Sequence, residues 1–347
     1  MAEPTPISER VDLRIHHLLS AEAERWRMVD ERLAEPVQDL LAFALSGGKR
    51  LRPSFMWWAY LGAGGDPSDP IAVDAAAALE LLHCFALIHD DVMDGSMQRR
   101  GKPPVHLKWA ATHAEEARIG EARRFGEGVA VLIGDLAFVY ADLLMSAAPR
   151  EARDIYTELR LEVNHGQMLD VIGTSAGVAT PELARLISIY KSGKYTVERP
   201  LHLGAALAGR LDAFSEPLSA YGLPLGEAFQ LRDDVLGTFG SAEQTGKPVG
   251  EDLREGKPTL LYALACERAN SAQGELLKRH FARPDLGSEG IEALQNVFVE
   301  TGALATVEER IERLTEQSMK AVTSSGLTAE AVSELVAMAA YVRNRRS

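Results

Sequence analysis

The chain has 347 residues, enough for an extensive apolar core in either one domain or two. Its 37 Lys and Arg against 50 Asp and Glu give a net charge of −13, which argues against indiscriminate binding to nucleic acid or to an anionic membrane. An anionic ligand therefore has to be met by local cations or by metal ions.

The N-terminal MAEPTPISERVDLRIHHLL carries acidic residues ahead of any apolar stretch, unlike a secretory signal. No uninterrupted apolar run in the sequence approaches the ~20 residues of a membrane span, so a cytoplasmic protein without stable membrane insertion is expected. Cys84 and Cys266 lie far apart in apolar segments, and they read as small buried hydrophobes in a reducing compartment.

Helical periodicity recurs along nearly the whole chain and strict apolar/polar alternation is absent, which predicts an all-α fold. In chain order, the first segment with chemical interest is GGKRLRP (47 to 53). Its paired glycines let backbone N–H groups approach a phosphate beside Lys49 and Arg52, and Pro53 restricts the turn. After a break at 62 to 70 comes VDAAAALELLHCFALIHDDVMD (73 to 94), apolar around most of its circumference and predicted as a central helix.

That helix ends in Asp90, Asp91 and Asp94. Residues four apart share a helix face, so Asp90 and Asp94 point the same way and repel. Either a cation sits there or the helix end is solvated. RRGKPP (99 to 104) follows, and GVAVLIGDLAFVYADLLMSAA (128 to 148) predicts a second central helix. A break at 172 to 180 precedes YKSGK (190 to 194).

FQLRDDVLG (229 to 237) repeats the acidic pattern with Asp233 and Asp234, preceded by Gln230. Mg²⁺ typically takes one or two carboxylates plus waters and phosphate oxygens, so two such clusters suit a metal-bound diphosphate. The stretch 237 to 258 is long, polar and glycine-rich, carries Lys247, Asp252 and Lys257, and is expected to close over a site. RIERLTEQSMKAV (310 to 322) reads as a peripheral amphipathic helix, and the basic YVRNRRS either shields a diphosphate or forms a solvated tail. With no linker and no repeat, residues 1–347 are expected to form a single domain.

Five motifs in order, GGKRLRP, LLHCFALIHDDVMDGSMQRRG, GQMLD, YKSGK and FQLRDD followed by GKPVGEDLREGK, make the sequence resemble the trans-isoprenyl diphosphate (polyprenyl) synthases, most closely the bacterial geranylgeranyl diphosphate synthases. The resemblance implies an all-α bundle of about a dozen helices around a deep central cavity. It also implies a homodimer that condenses isopentenyl diphosphate with an allylic diphosphate. By position, Asp90 and Asp94 would bind two Mg²⁺ ions and Asp233 a third, with Asp91 and Asp234 in support. Arg99, Lys191, Ser192, Gln230, Lys247 and Lys257 would hold the allylic diphosphate. Lys49, Arg52, His83 and Arg100 would hold isopentenyl diphosphate, and Gln167 and Asp170 would line the site beside the metals.

Two positions depart from the family pattern: Gly237 stands where a third aspartate is usual, and Ser192 replaces threonine. His89 and Asp135 are expected to be structural. One helical turn spans about 5.4 Å, roughly one isoprene unit, so side chains preceding Asp90 act as a ruler. Ala86 leaves room and Phe85 obstructs growth, which resembles members that stop at C20. Phe85 as simple core packing is the competing expectation, and farnesyl or C25 and longer products are the competing lengths. A terpene cyclase would need no second diphosphate site, and a noncatalytic subunit would not need both acidic motifs.

Overall fold

The computed structural model describes residues 6–177, 179–240 and 249–345. Every regular element among them is helical, as the periodicity predicts, apart from one isolated bridge between Arg99 and Lys102. The chain divides into two compact units, Met1–Arg153 with Leu203–Gly209, and Asp154–His202 with Arg210–Ser347.

The first unit holds α1 (Ile7–Arg27), α2 (Glu31–Ala44), α3 (Leu51–Gly62), α4 (Pro70–Asp94), α5 (Val105–Glu115) and α6 (Ala122–Met145). Helix α4 starts where the Asp69 side chain accepts from Ile71 N–H and Pro70 needs no donor of its own. It stops at Gly95, whose φ of 64° is left-handed. Alanines 72 and 75 to 78 are buried, and α4 packs most extensively on α6, where the His89 ring takes the space that a Cβ on Gly134 would fill.

Helix α6 departs from the expectation of a fully surrounded element, because Leu132, Val139 and Leu143 are exposed. Among the described residues two helices, α4 and α6, are long and apolar enough by composition to cross a membrane, although charged residues interrupt each of them. In α4 that apolar stretch is 61% buried within the protein, as in a core helix. Cys84 is buried as expected; Cys266 is exposed, contrary to expectation.

The second unit takes up α7 (Arg150–Ala176) after its first turn, then α8 (Pro181–Ile187), a π-helical segment Ser188–Glu198, the start of α9 (Arg199–Leu207), and α10 (Leu211–Phe239). It continues with α11 (Glu251–Glu255), α12 (Leu260–Arg268), α13 (Ser271–His280), α14 (Ser288–Glu300), α15 (Ala303–Thr323) and α16 (Ala329–Asn344). Helix α10 packs mainly on the π-helical segment and on α15. The predicted break at 172 to 180 begins later than expected, since α7 continues to Ala176.

π-Helical runs are rare and concentrate at functional positions. Here the run contains YKSGK, and its Gly193 lies so close to α10 that a Cβ on Gly226 would stand 2.5 Å from the Gly193 Cα. Any side chain at Gly226 would force the two backbones apart.

Candidate active site

Asp90, Asp91 and Asp94 occupy the last turn of α4, which has no basic residue of its own. The free carbonyls there make this the negative end of the helix dipole, so three carboxylates are disfavoured without external cations. Arg99 supplies one. Its Nε donates to both oxygens of Asp91, at 2.9 and 3.2 Å, and its Nη2 lies 3.9 Å from Asp90 Oδ2. Asp91 is buried and serves as the anchor for Arg99, whereas Asp90 and Asp94 are half-buried.

Beyond Arg99 the chain reverses tightly: Arg99 and Lys102 exchange backbone hydrogen bonds of 2.8 and 3.0 Å, with positive φ at Arg100 and Gly101. This turn sends Arg100 towards the α2–α3 loop, where its Nη1 donates to Ser46 Oγ at 3.0 Å. The same loop presents Gly48, with φ of 135°; a Cβ there would meet Arg50 Nη1 at 3.0 Å and Arg100 Nη2 at 3.3 Å.

Arg50, which the motif reading passed over, organises this loop. It is buried and left-handed (φ 49°), and donates to Asp12 Oδ1 at 2.8 Å, Glu80 Oε1 at 2.6 Å and the Ala44 carbonyl at 2.7 Å. One guanidinium thus ties α1, α2 and α4 together. Lys49 is left exposed beside it and Arg52 half-buried in the first turn of α3.

His83 completes the group. Burial, and then the guanidinium groups of Arg52, Arg100, Arg99 and Arg50, hold its imidazole well below the ordinary histidine pKa, so it is neutral at pH 7. Burial likewise pushes Arg100 down, with Arg50 and Arg99 acting in the same direction. Several cations crowded around a neutral imidazole repel one another, and an anion relieves that repulsion.

In the second unit, Asp233 and Asp234 lie near the end of α10. Asp234 is buried, and burial followed by the charge of Asp252, with Asp233 and Asp170 adding to it, pushes its pKa well above the carboxylate range. Gln230 opposes that shift by donating to Asp234 Oδ1 at 2.7 Å. Asp233 accepts from Arg345 Nη1 at 2.5 Å, and the Arg345 guanidinium also lies 5.0 Å from the Phe229 ring centre. Arg345 is therefore no solvated tail residue, although Arg346 and Ser347 lie outside the described residues.

Lys191, on the π-helical segment, pairs with the buried Asp170 of α7. Two further cations fix the segment to α7: Lys194 pairs with Glu162, and Arg199 donates to both Glu162 oxygens at 2.6 and 2.7 Å. Ser192 and Gln167 are half-buried on these two elements. Lys257 Nζ lies 2.9 Å from Glu255 Oε2. Lys247 and the part of the stretch expected to close over the site that runs from 241 to 248 lie outside the described residues.

His89 behaves as a structural group: its Nε2 lies 3.0 Å from the Val131 carbonyl, with Asp135 at 3.8 Å. Phe85 faces α6, its ring centre 4.6 Å from that of His89 and 5.0 Å from that of Phe138. Among the described residues no group of three His, Cys, Asp or Glu side chains forms a ready cage for a metal ion. The donors present, pairs of carboxylates at helix ends, fit Mg²⁺, which needs only one or two of them.

Comparison with known proteins gives one answer for the fold and the family. The polyprenyl synthetase family profile matches residues 30–297, running through both units. A short chain isoprenyl diphosphate synthase of Methanothermobacter thermautotrophicus is 34% identical over 264 residues, 72% of this chain and 75% of that protein. The farnesyl diphosphate synthase of Geobacillus stearothermophilus is 32% identical, over 74% of this chain and 86% of that one. Among solved structures, a geranylgeranyl pyrophosphate synthase from Corynebacterium glutamicum, complexed with isoprenyl diphosphate and magnesium, superposes with a TM-score of 0.93 at 36% identity, over 98% of this chain and 99% of that one. With its all-α fold and its ordered motifs, the chain belongs to the polyprenyl synthetase family of trans-prenyltransferases.

Proposed function

We propose that this enzyme condenses isopentenyl diphosphate head to tail with an allylic diphosphate, giving all-trans geranylgeranyl diphosphate (C20). The observation that carries it is the turn after Arg99, which sends Arg100 to Ser46 Oγ at 3.0 Å, into the loop that bears Lys49 and leads to Arg52. These cations supply a second anion-binding group beside the acidic end of α4, where Arg99 is held by Asp91, and a reaction between two diphosphates needs both. A cyclase, which ionises a single diphosphate, has no use for it.

In this proposal Asp90, Asp94 and Asp233 hold three Mg²⁺ ions on one diphosphate, with Asp91 and Asp234 in support and Gln167 and Asp170 beside them. Bound there, the ions neutralise the charge that develops on the departing diphosphate. Arg99, Lys191, Ser192, Gln230, Lys247 and Lys257 orient that same group as preorganised donors. Lys49, Arg52, His83 and Arg100 hold isopentenyl diphosphate. The allylic C–O bond breaks, the isopentenyl double bond attacks the allylic carbon, and the departing diphosphate takes the proton whose loss sets the new double bond. No protein nucleophile takes part. Incubation with each allylic starter, with and without isopentenyl diphosphate, followed by chromatography, tests this: C20 product is expected only when both substrates are present. Hydrocarbon or alcohol from the allylic substrate alone would contradict it.

Phe85 supports the C20 length because it is braced on one side by His89, itself held by the Val131 carbonyl, and on the other by Phe138. Phe85→Ala is expected to shift the main product to C25 or longer, and Phe85→Ala/Phe138→Ala to lengthen it further. Product chromatography decides this, and an unchanged spectrum in both variants would leave Phe85 a packing residue.

The pairing of Arg345 with Asp233 competes with an ion for the same carboxylate. A partly exposed ion pair is worth ~0–1 kcal/mol, so Arg345→Ala is expected to tighten Mg²⁺–pyrophosphate binding by up to about fivefold. Calorimetric titration measures it; weaker binding would instead mark Arg345 as a diphosphate ligand. A homodimer belongs to the same proposal, with a second copy covering the exposed Leu132, Val139 and Leu143 of α6. Sedimentation equilibrium tests the dimer.

A further inference from the structure

Helix α10 has a glycine one turn beyond its acidic pair, and the reason lies outside the helix. A Cβ built on Gly237 would stand 2.1 Å from Asp252 Oδ2 and 2.9 Å from Asp252 Cγ, so the Asp252 carboxylate fills the space that a side chain at 237 would enter. Gly237 is helical, so its backbone does not require glycine; a side chain there would displace the Asp252 carboxylate. A residue four after Asp233 shares its helix face. An oxygen at that point therefore lies on the Asp233 side of α10, one turn further on.

The element that delivers Asp252 is held in place. In α11, Leu253 is buried and its carbonyl accepts from Ala282 N at 2.9 Å. Arg254 donates to the Leu286 carbonyl at 3.0 Å and to the Val249 carbonyl at 2.8 Å. A further carboxylate on the Asp233 side of α10 is unfavourable unless a cation offsets it.

We propose that Asp252 is a further carboxylate for the divalent ion at Asp233, supplied by α11 into the gap that Gly237 leaves in α10. It stands in for the third aspartate that α10 lacks, and Gly237 and Asp252 form a matched pair in which the glycine makes room for the acid. The inference rests on the proposed role of Asp233.

The test uses the full-length protein with Mn²⁺ and inorganic pyrophosphate, bound ion being read by electron paramagnetic resonance and folding by thermal melting without metal. Asp252→Asn and Gly237→Ala are each expected to weaken Mn²⁺ binding by about tenfold, as loss of a group that supports a metal site does. Gly237→Ala adds no charge and improves helix propensity, so its melting temperature is expected at or above that of the parent protein. Weaker ion binding without lost stability is an outcome that a merely structural role for the pair does not give. Mn²⁺ affinity unchanged in both variants would overturn the inference. Asp233→Asn separates the two levels. If it abolishes Mn²⁺ binding while the other two variants bind normally, only the role of Asp252 fails; if it too binds normally, the role of Asp233 fails with it.

Discussion

Asp90→Ala and Asp233→Ala are each expected to lower kcat by about 10²–10³-fold or more, the scale on which removing one preorganised electrostatic group acts. In the first unit, Asp90 sits at the negative end of α4 beside Asp91 and Asp94. Its removal relieves repulsion, so Asp90→Ala is expected to melt no lower than the parent protein. A loss of turnover with the fold intact identifies a carboxylate kept for its ion. Asp91 is the contrasting case, since its carboxylate carries the bidentate hydrogen bonds of Arg99. Asp91→Asn is therefore expected to disturb the position of Arg99. Steady-state kinetics at saturating Mg²⁺, together with circular dichroism melting, check these outcomes.

Glu80→Ala is expected to cost about 3–5 kcal/mol of stability, the scale for removing one partner of a buried ion pair. The Glu80 and Arg50 side chains are 4% and 2% exposed, and their 2.6 Å hydrogen bond has no water to replace it. Without Glu80 the buried guanidinium keeps only Asp12, whose side chain is 45% exposed, and backbone carbonyls. A typical domain has only ~5–15 kcal/mol in total, so such a loss brings unfolding close to working temperature. Denaturant titration measures it. Because Arg50 fixes the loop that bears Lys49 and lies beside Arg100, the KM for isopentenyl diphosphate is expected to rise in any folded fraction.

Much of the frame can be read from sequence, because it rests on local rules. Asp69 and Pro70 mark the start of α4 and Gly95 its end, and both acidic clusters fall at helix ends as the pattern indicates. What escapes the sequence depends on distant partners. Arg50 and Arg52 look alike in GGKRLRP, and only the left-handed backbone at Arg50 and the arrival of Glu80 assign one to the core. The π-helical run Ser188–Glu198 packs through Gly193 against Gly226, far along the chain, a contact that no local pattern announces. The outward apolar stripe of α6 carries the same composition as a buried helix, so hydropathy cannot separate the two cases. Asp252 and Arg345 fall in segments whose sequence reads as a polar loop and a tail, and their neighbours in α10 give them meaning.

The most direct test is a crystal structure with Mn²⁺ and a non-reactive allylic diphosphate analogue, with the ions located by anomalous scattering. The account predicts one diphosphate whose ions are coordinated by Asp90 and Asp94 and also by Asp233. Ions bound at one acidic motif alone, with the other motif's carboxylates touching neither ion nor diphosphate, would contradict it.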